Sequence, residues 1–384
     1  MNVDLLQSLV LCGYALAVAS MAYSLITAFA TRKVLSPASG IVEVSPPVTV
    51  LKPLCGAEPE TYECLRSFCE QTYPEYQVIF GVSDPQDPAI AIVHRLQREF
   101  PRLDLVLAAE RRQHGSNRKV NNLINMMAFA RHDYLILSDS DVKVDRNYLA
   151  SLIPPLLDAG VGIVTCAYRG IPRAGIWSLL GSMYINEWFM PSVRVAAMMG
   201  YRSFAFGVTI GIRRETLAKI GGFDAVSSQL ADDYRLGELT RRLGLRTVLS
   251  RVEVSTFVGE RTAAELVAHE LRWRRTIRNL SPYGYGFSFL TLGLPVTALQ
   301  LLFAQGAVPA AAIFGATSLA SILIHLNARL PGAPMRRLLL VPFRDLLHFG
   351  LWVWSFATRR VQWRNDHYHV TRDGAAQPIE SRAA

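Results

Sequence analysis

The sequence predicts an α/β domain, a mostly parallel sheet with helices on both faces, joined to transmembrane helices. Long runs without a formal charge near the N-terminus and again after residue 280 predict the membrane part. Between them, short apolar strand-like runs alternate with helical patterns, the order that gives a parallel sheet covered on both sides. Of the 384 residues 51% are hydrophobic and 18% charged, below the roughly 25% charged residues of ordinary soluble domains. Mean hydropathy is +0.21. A chain this apolar buries enough surface to exclude global disorder. Its five cysteines, Cys12, Cys55, Cys64, Cys69 and Cys166, form no C-x-x-C pair. That argues against a disulfide scaffold or a structural zinc site and fits a reduced, cytoplasm-facing compartment. The net charge of +9, from 40 basic and 31 acidic residues, leaves nucleic acid, an anionic membrane surface or a phosphorylated substrate open as partners.

In chain order, Leu5 to Ala30 contains no Asp, Glu, Lys or Arg and exceeds the roughly 20 residues a spanning helix needs. Residues 1–31 are therefore expected to form a transmembrane helix. Only Asp4 precedes the run, whereas Arg32 and Lys33 follow it, so the helix is not a signal peptide and its N-terminus is expected outside. Residues 32–47, with Ser36-Pro37-Ala38-Ser39-Gly40 and Pro46-Pro47, read as a linker. Residues 48–279 form the expected cytoplasmic domain. Val48 to Leu51, Gln77 to Val82, Leu103 to Leu107 and Tyr134 to Leu137 read as strands, and Pro59 to Gln71, Ala89 to Phe100 and Val120 to Ala130 as helices. Residues 280–328 carry no formal charge and break at Gln305-Gly306 and Pro309, which predicts a transmembrane hairpin. Arginines flank it on both sides, Arg272, Arg274, Arg275 and Arg278 before, Arg329, Arg336 and Arg337 after. Residues 329–384 are expected to hold an interfacial helix, Leu338 to Ala357 with Arg344, Asp345 and His348 inside it, and a basic cytoplasmic tail containing Arg359, Arg360 and Arg364.

In open α/β sheets ligands bind beyond the carboxyl ends of the strands, and here those ends are acidic. One strand runs into Ser83-Asp84 and another into Ser138-Asp139-Ser140-Asp141. An Asp-x-Asp pair puts two carboxylates on one side of an extended segment, which suits a hard divalent ion shared with phosphate oxygens. A second pair, Asp232-Asp233, stands before a helix. The basic loop from Arg111 to Lys119 opens another helix and could set backbone donors and an ammonium against phosphate. His269-Glu270-Leu271-Arg272-Trp273 sits on a helical pattern before the hairpin, where an arginine fork suits a diphosphate and an indole face a sugar. A P-loop and a G-x-G-x-x-G turn after the first strand are both missing, which argues against P-loop ATPases and Rossmann dehydrogenases. The segment Gly175 to Gly200, rich in Trp177, Met183, Tyr184, Trp188, Phe189 and Met190, reads as a buried amphipathic helix or as part of an acceptor groove with Leu338 to Ala357. Trp177 and Trp188 are its candidate groove residues.

Together these residues resemble the ceramide glucosyltransferase-like glycosyltransferases of GT-A fold. The likeness runs through Leu51-Lys52-Pro53-Leu54-Cys55-Gly56, Gly81-Val82-Ser83-Asp84, Asn117-x-Lys119-Val120-Asn121-Asn122, Asp139-Ser140-Asp141, Gly221-Gly222-Phe223, Asp232-Asp233-Tyr234 and Arg272-Trp273. The resemblance implies donor contacts from Lys52, Asp84, Asn117, Lys119 and Asp139, a metal, Mg²⁺ or Mn²⁺, on Asp141, and Asp233 as catalytic base. His269, Arg272 and Trp273 would complete the R/Q-x-x-R-W element on the donor, with His269 standing where the family has Gln or Arg. Size, the single N-terminal helix and the Arg-rich tail look most like the bacterial hopanoid-biosynthesis branch. That likeness implies an inner-membrane enzyme transferring N-acetylglucosamine from a UDP-sugar to a hopanoid polyol. Ceramide glucosylation, polyprenyl-phosphate glycosylation, processive polysaccharide synthesis and a catalytically dead nucleotide-sugar binder remain alternatives. Nucleic acid is not an expected partner, because the arginines cluster beside apolar spans.

Overall fold

The computed structural model describes residues 3–32, 45–173, 175–201, 203–304, 307–357, 360–363, 366–370 and 376–378. Linker residues 33–44, the Gln305-Gly306 break, Arg359 and Arg364 lie outside the described residues. Two units emerge. One comprises Leu35–Ile171, Arg202–Phe257 and Gly374–Ala384, the other Met1–Val34, Pro172–Tyr201 and Val258–Asp373.

The first unit is built on eight strands, β1 Val48–Pro53, β2 Tyr76–Val82, β3 Asp104–Ala109, β4 Tyr134–Leu137, β5 Val142–Lys143, β6 Val161–Pro172, β7 Ile210–Arg213 and β8 Arg246–Val258. They form one sheet in the order β3-β2-β1-β4-β7-β6-β8-β5. The α/β architecture is as expected, and the sheet is mixed. β3, β2, β1 and β4 are parallel neighbours, whereas β4 with β7, β6 with β7 and β5 with β8 are antiparallel. The parallel part is the part whose strand–helix alternation is visible in sequence. β1 and β2 are buried at every position, as central strands covered on both faces must be.

Leu51, Ile79, Val120, Leu123, Leu135 and Ile210 meet in the core that joins the parallel strands to the Arg118–Met126 helix. That helix lies so close to β2 that a Cβ on Gly81 would stand 2.3 Å from the Asn122 amide oxygen and 2.4 Å from the Met126 sulfur. Only glycine allows this approach. Asn122 uses the closeness, donating to the carbonyl of Gly81 at 2.8 Å. The helix thereby starts at a fixed height above the ends of β1 and β4.

The second unit is mainly helical, with one antiparallel strand pair, Arg360–Trp363 and Asp366–Val370. Gln7–Ala30 and Val308–Ala328 are long and apolar enough to cross a membrane, and Pro282–Thr291 with Gly293–Phe303 forms a pair bent by 70° that could serve as one broken span. These helices mark a membrane protein. Small and polar residues bring them together. A Cβ on Gly293 would meet the Ser24 hydroxyl at 2.4 Å, and Ser20 Oγ donates to the Leu290 carbonyl at 2.6 Å. The segment after Pro172 forms the helices Gly175–Tyr184 and Met190–Met198 on either side of a π-helical stretch, Ile185–Phe189. Val341–Trp354 has charged residues on its inner face, with Arg344, Asp345 and His348 buried, while Leu346, Val353 and Trp354 are exposed.

Candidate active site

In the sheet unit the site grows from the end of β4, the start of β7 and the starts of two helices. Asp139 leaves β4, and its carboxylate accepts from Lys119 Nζ at 2.7 Å. Lys119 reaches it because Asn117 caps the Arg118–Met126 helix, its side-chain oxygen accepting from Val120 N at 3.1 Å. The loop before the cap is held by asparagines. Asn121 Oδ1 accepts from the amides of His114 and Gly115 at 2.9 and 2.8 Å, and Asn125 Nδ2 donates to Arg112 O at 2.9 Å. Asn117 itself is fully enclosed and donates to the Gln229 carbonyl at 2.8 Å. This fastens the loop to the chain just ahead of Asp232 and Asp233.

Those two carboxylates begin the Asp232–Arg242 helix. Asp232 is buried and lies 3.4 Å from Lys119 Nζ. Asp233 accepts from two backbone amides, Gly207 at 2.9 Å and its neighbour Tyr234 at 2.7 Å. Desolvation, then the adjacent Asp232 charge, push the Asp233 carboxyl up from 3.8 to about 6, against the opposing pull of Lys119 and the two amides. For Lys119, burial alone would favour the neutral amine, but Asp139, Asp232 and Asp233 outweigh it and raise its pKa. A single ammonium thus ties the Asp139 turn to the Asp232-Asp233 helix start.

Gly207 stands where these groups converge. A Cβ there would come within 3.0 Å of Lys119 Nζ, 3.1 Å of Asp139 Oδ2 and 3.6 Å of Asp233 Oδ2. No chemical signature marks it in sequence; its importance comes from the approach of three elements around it.

Asp141 has a different setting. Its carboxylate accepts from Thr256 Oγ1 at 2.7 Å, and its pKa is raised by desolvation and by the charge of Asp139. Thr256 on β8 is a second residue that motif reading passes over. Among the described residues no three His, Cys, Asp or Glu side chains converge as a metal group. Two carboxylates held near each other, at a cost that a cation would relieve, still fit Mg²⁺ or Mn²⁺, which take few protein ligands and complete their shell with substrate phosphates and water.

Lys52 and Asp84 have opposite settings. Lys52 is fully buried beneath the turn, donating to the Asp139 carbonyl, with its ammonium 4.0 Å from the Phe68 ring centroid. Desolvation lowers its pKa to about 8 despite nearby acidic groups. Asp84 is exposed, paired with Arg111 at 3.1 Å, and its pKa is lowered first by the amide of Gln86 and then by Arg111.

In the helical unit, Thr262 caps the Ala263–Leu280 helix, which carries His269, Arg272 and Trp273. His269 Nδ1 pairs closely with the Glu260 carboxylate. Its ring meets Trp273 edge-on at 4.9 Å between centroids, and Phe189 lies 5.9 Å from Trp273 on another side. Trp177 is half-buried. Trp188 stacks on Tyr184 and donates to Thr291 Oγ1 at 3.0 Å.

A carboxylate pair after a parallel strand, a lysine bridging it to a second carboxylate pair, and a GT-A sheet define a nucleotide-sugar-dependent glycosyltransferase. Residues 12–376 match the model of glycosyl transferase family 21, and the chain belongs to that family. It is 21% identical over 352 residues to ceramide glucosyltransferase 3 of Caenorhabditis elegans, covering 87% of this chain and 74% of that one. It is 34% identical to the ceramide glucosyltransferase of Candida albicans over 129 residues, 30% of this chain and 24% of that one. Its fold resembles that of a mannosyltransferase from Pyrobaculum calidifontis solved with GDP-Man and Mn²⁺, at TM-score 0.56 and 20% identity, covering 91% of this chain and 99% of the other.

Proposed function

We propose that the protein is a membrane-bound, inverting transferase that moves a sugar from a UDP-sugar to a hydroxyl of a lipid acceptor. The observation that carries this reading is the gathering of Asp139, Lys119 and Asp233 around Gly207, a diphosphate-binding turn and a basic carboxylate within one salt-bridged cluster.

Asp233 is the general base. With its pKa at about 6 it is ionised at neutral pH yet more basic than an ordinary carboxylate, the compromise that base catalysis favours. The Gly207 and Tyr234 amides hold its two oxygens in place. Deprotonating the acceptor hydroxyl as it attacks the anomeric carbon gives direct displacement and inversion. Lys119 compensates the charge between the two acidic turns and offers its ammonium to the diphosphate. Asp139 and Asp141 would hold the divalent ion, which when bound neutralises the departing diphosphate. Lys52 and Asn117, both enclosed, serve as positioning residues for the Asp139 turn and the Lys119 helix, and Asp84 contacts the base of the nucleotide. Arg272 and Trp273 bind the donor's diphosphate and sugar, with His269 orienting Trp273 through its edge-on contact.

For the acceptor, the ceramide glucosyltransferase relatives favour UDP-glucose and ceramide. The likeness of the N-terminal helix and the Arg-rich tail to those of the bacterial hopanoid-biosynthesis branch favours UDP-N-acetylglucosamine and a hopanoid polyol. Purified protein with each UDP-sugar, Mg²⁺ or Mn²⁺ and each lipid should yield a glycolipid of the expected mass from one pairing. Sugar found joined to a polyprenyl phosphate, or to a growing polysaccharide, would overturn the reading.

A further inference from the structure

The Arg272-Trp273 element has a support that lies outside its own motif. Trp273 stands on the Ala263–Leu280 helix one turn after His269, the spacing that brings two side chains of a helix side by side. The imidazole meets the indole edge-on, with 83° between their planes, and Phe189 of the π-helical stretch tilts against the same indole at 47°. Rings from two different elements therefore wall the indole.

An imidazole whose side chain is 33% exposed does not hold its own orientation, because the ring turns about a broad torsion unless one of its nitrogens is engaged. Here Nδ1 is engaged by the Glu260 carboxylate. Glu260 is a fixed post. Its side chain is 10% exposed, and a Cβ on Gly181 of the Gly175–Tyr184 helix would stand 3.5 Å from its Oε2. Just beyond it, Thr262 accepts from Glu265 N at 3.2 Å while Glu265 accepts from Arg261 N at 2.7 Å, so the link from Glu260 into the helix is pinned at both ends. Burial works against the ionised form of Glu260, but the hydrogen bond from His269 outweighs it and holds the carboxyl below its ordinary value. Oε2 has no hydrogen-bond partner among the described residues, which leaves the imidazole as the group this buried carboxylate is aimed at.

We propose that Glu260 is a positioning residue for the sugar end of the donor: by fixing the His269 ring it fixes the Trp273 indole on which the sugar of a nucleoside diphosphate sugar packs. The proposal rests on the reading that Trp273 meets the donor's sugar, and adds what holds it there. A side chain already fixed loses less freedom when a ligand packs on it. UDP carries the base and the diphosphate but no sugar, so the role separates from folding and from diphosphate binding. Loss of Glu260 should be felt by a UDP-sugar and not by UDP.

Binding of UDP-glucose, UDP-N-acetylglucosamine and UDP to the purified protein in micelles with Mn²⁺ should be measured without acceptor. The wild type is compared with Glu260→Ala, His269→Ala, the double variant and Trp273→Ala. Glu260→Ala should weaken the tighter-binding UDP-sugar about three- to tenfold, the scale of one edge-on ring contact, and change UDP binding less than about twofold. His269→Ala should lose as much, and because its ring is partly exposed it reads the same contact even where Glu260→Ala does not fold. The double variant should lose no more than either single one, since Glu260 acts through His269. Trp273→Ala should lose at least as much affinity for the UDP-sugar. A Glu260→Ala protein that binds the UDP-sugar like wild type, that weakens UDP and UDP-sugar equally, or whose loss adds to that of His269→Ala overturns the proposal, as does His269→Ala with unchanged UDP-sugar binding. A Trp273→Ala protein that binds the UDP-sugar like wild type overturns the donor reading of Trp273 and the proposal with it, whereas a loss in Trp273→Ala without one in Glu260→Ala overturns the proposal alone.

Discussion

Two charged clusters of this chain, one around Gly207 and one around Glu187, obey opposite rules. Around Gly207 the acidic groups are only partly compensated, and the cluster keeps a carboxyl pushed up to about 6. Around Glu187 the charges are closed in, partners face one another, and the outer face of the Val341–Trp354 helix is apolar. The first arrangement leaves charge available for a polyanionic donor and a proton. The second spends its charge on holding helices together. A reactive cluster and a structural one can thus be told apart by how completely their charges are paired.

The largest effect should come from breaking the first cluster at its base. Asp233→Asn should lower transfer by about 10²- to 10⁴-fold while UDP-sugar binding persists, and activity within a few-fold of wild type would remove Asp233 from its role. Breaking the second cluster should act on stability instead. Arg344→Ala leaves Glu187 and Asp345 buried without their cation, so unfolding in detergent should become easier by about 3–5 kcal/mol. A smaller loss in Arg344→Met with Glu187→Gln would sharpen the contrast, because both charges leave together.

A finer test lies in the pH profile. Since the Asp233 pKa is raised and the carboxylate is the active form, the rate should fall as pH drops through about 6 and level off above it. Asp232→Asn removes the neighbouring like charge, so the falling limb should move to lower pH; an upward move would assign the limb to another group. Gly207→Ala, whose Cβ would stand 3.0 Å from Lys119 Nζ, should raise donor KM with little change in the thermal midpoint. Asp84→Ala should give the smallest response, a few-fold rise in donor KM alone, because its pair with Arg111 is solvent-exposed.

Much of the reactive cluster is legible in sequence because its residues sit at element boundaries. Asp139 follows a four-residue apolar strand, Lys119 opens a helix behind a basic loop, and Asp232-Asp233 begin another. Gly207 and Thr256 escape notice because their roles depend on distant strands arriving beside them. The antiparallel half of the sheet is hidden for the same reason, as β5 to β8 are joined by pairings with no local signal. The second cluster is harder still. Arg344, Asp345 and His348 inside an apolar stretch read as marks of an interfacial helix, and only packing reveals that they turn inward, Arg344 and Asp345 to Glu187 and His348 to Arg274. Glu187 itself lies in a stretch of aromatic and apolar residues where its pairing has no sequence signature.

The central claim, sugar transfer from a UDP-sugar to a lipid hydroxyl by the Asp233 cluster, meets its most direct test in one mass measurement. Wild-type protein and Asp233→Asn are incubated with UDP-glucose or UDP-N-acetylglucosamine, Mn²⁺, ceramide and a hopanoid polyol. The account predicts a lipid heavier by one sugar residue, joined through oxygen with inverted anomeric configuration, in the wild-type reaction and none with the variant. UDP release without a lipid adduct, or the same adduct from Asp233→Asn at comparable yield, would contradict it.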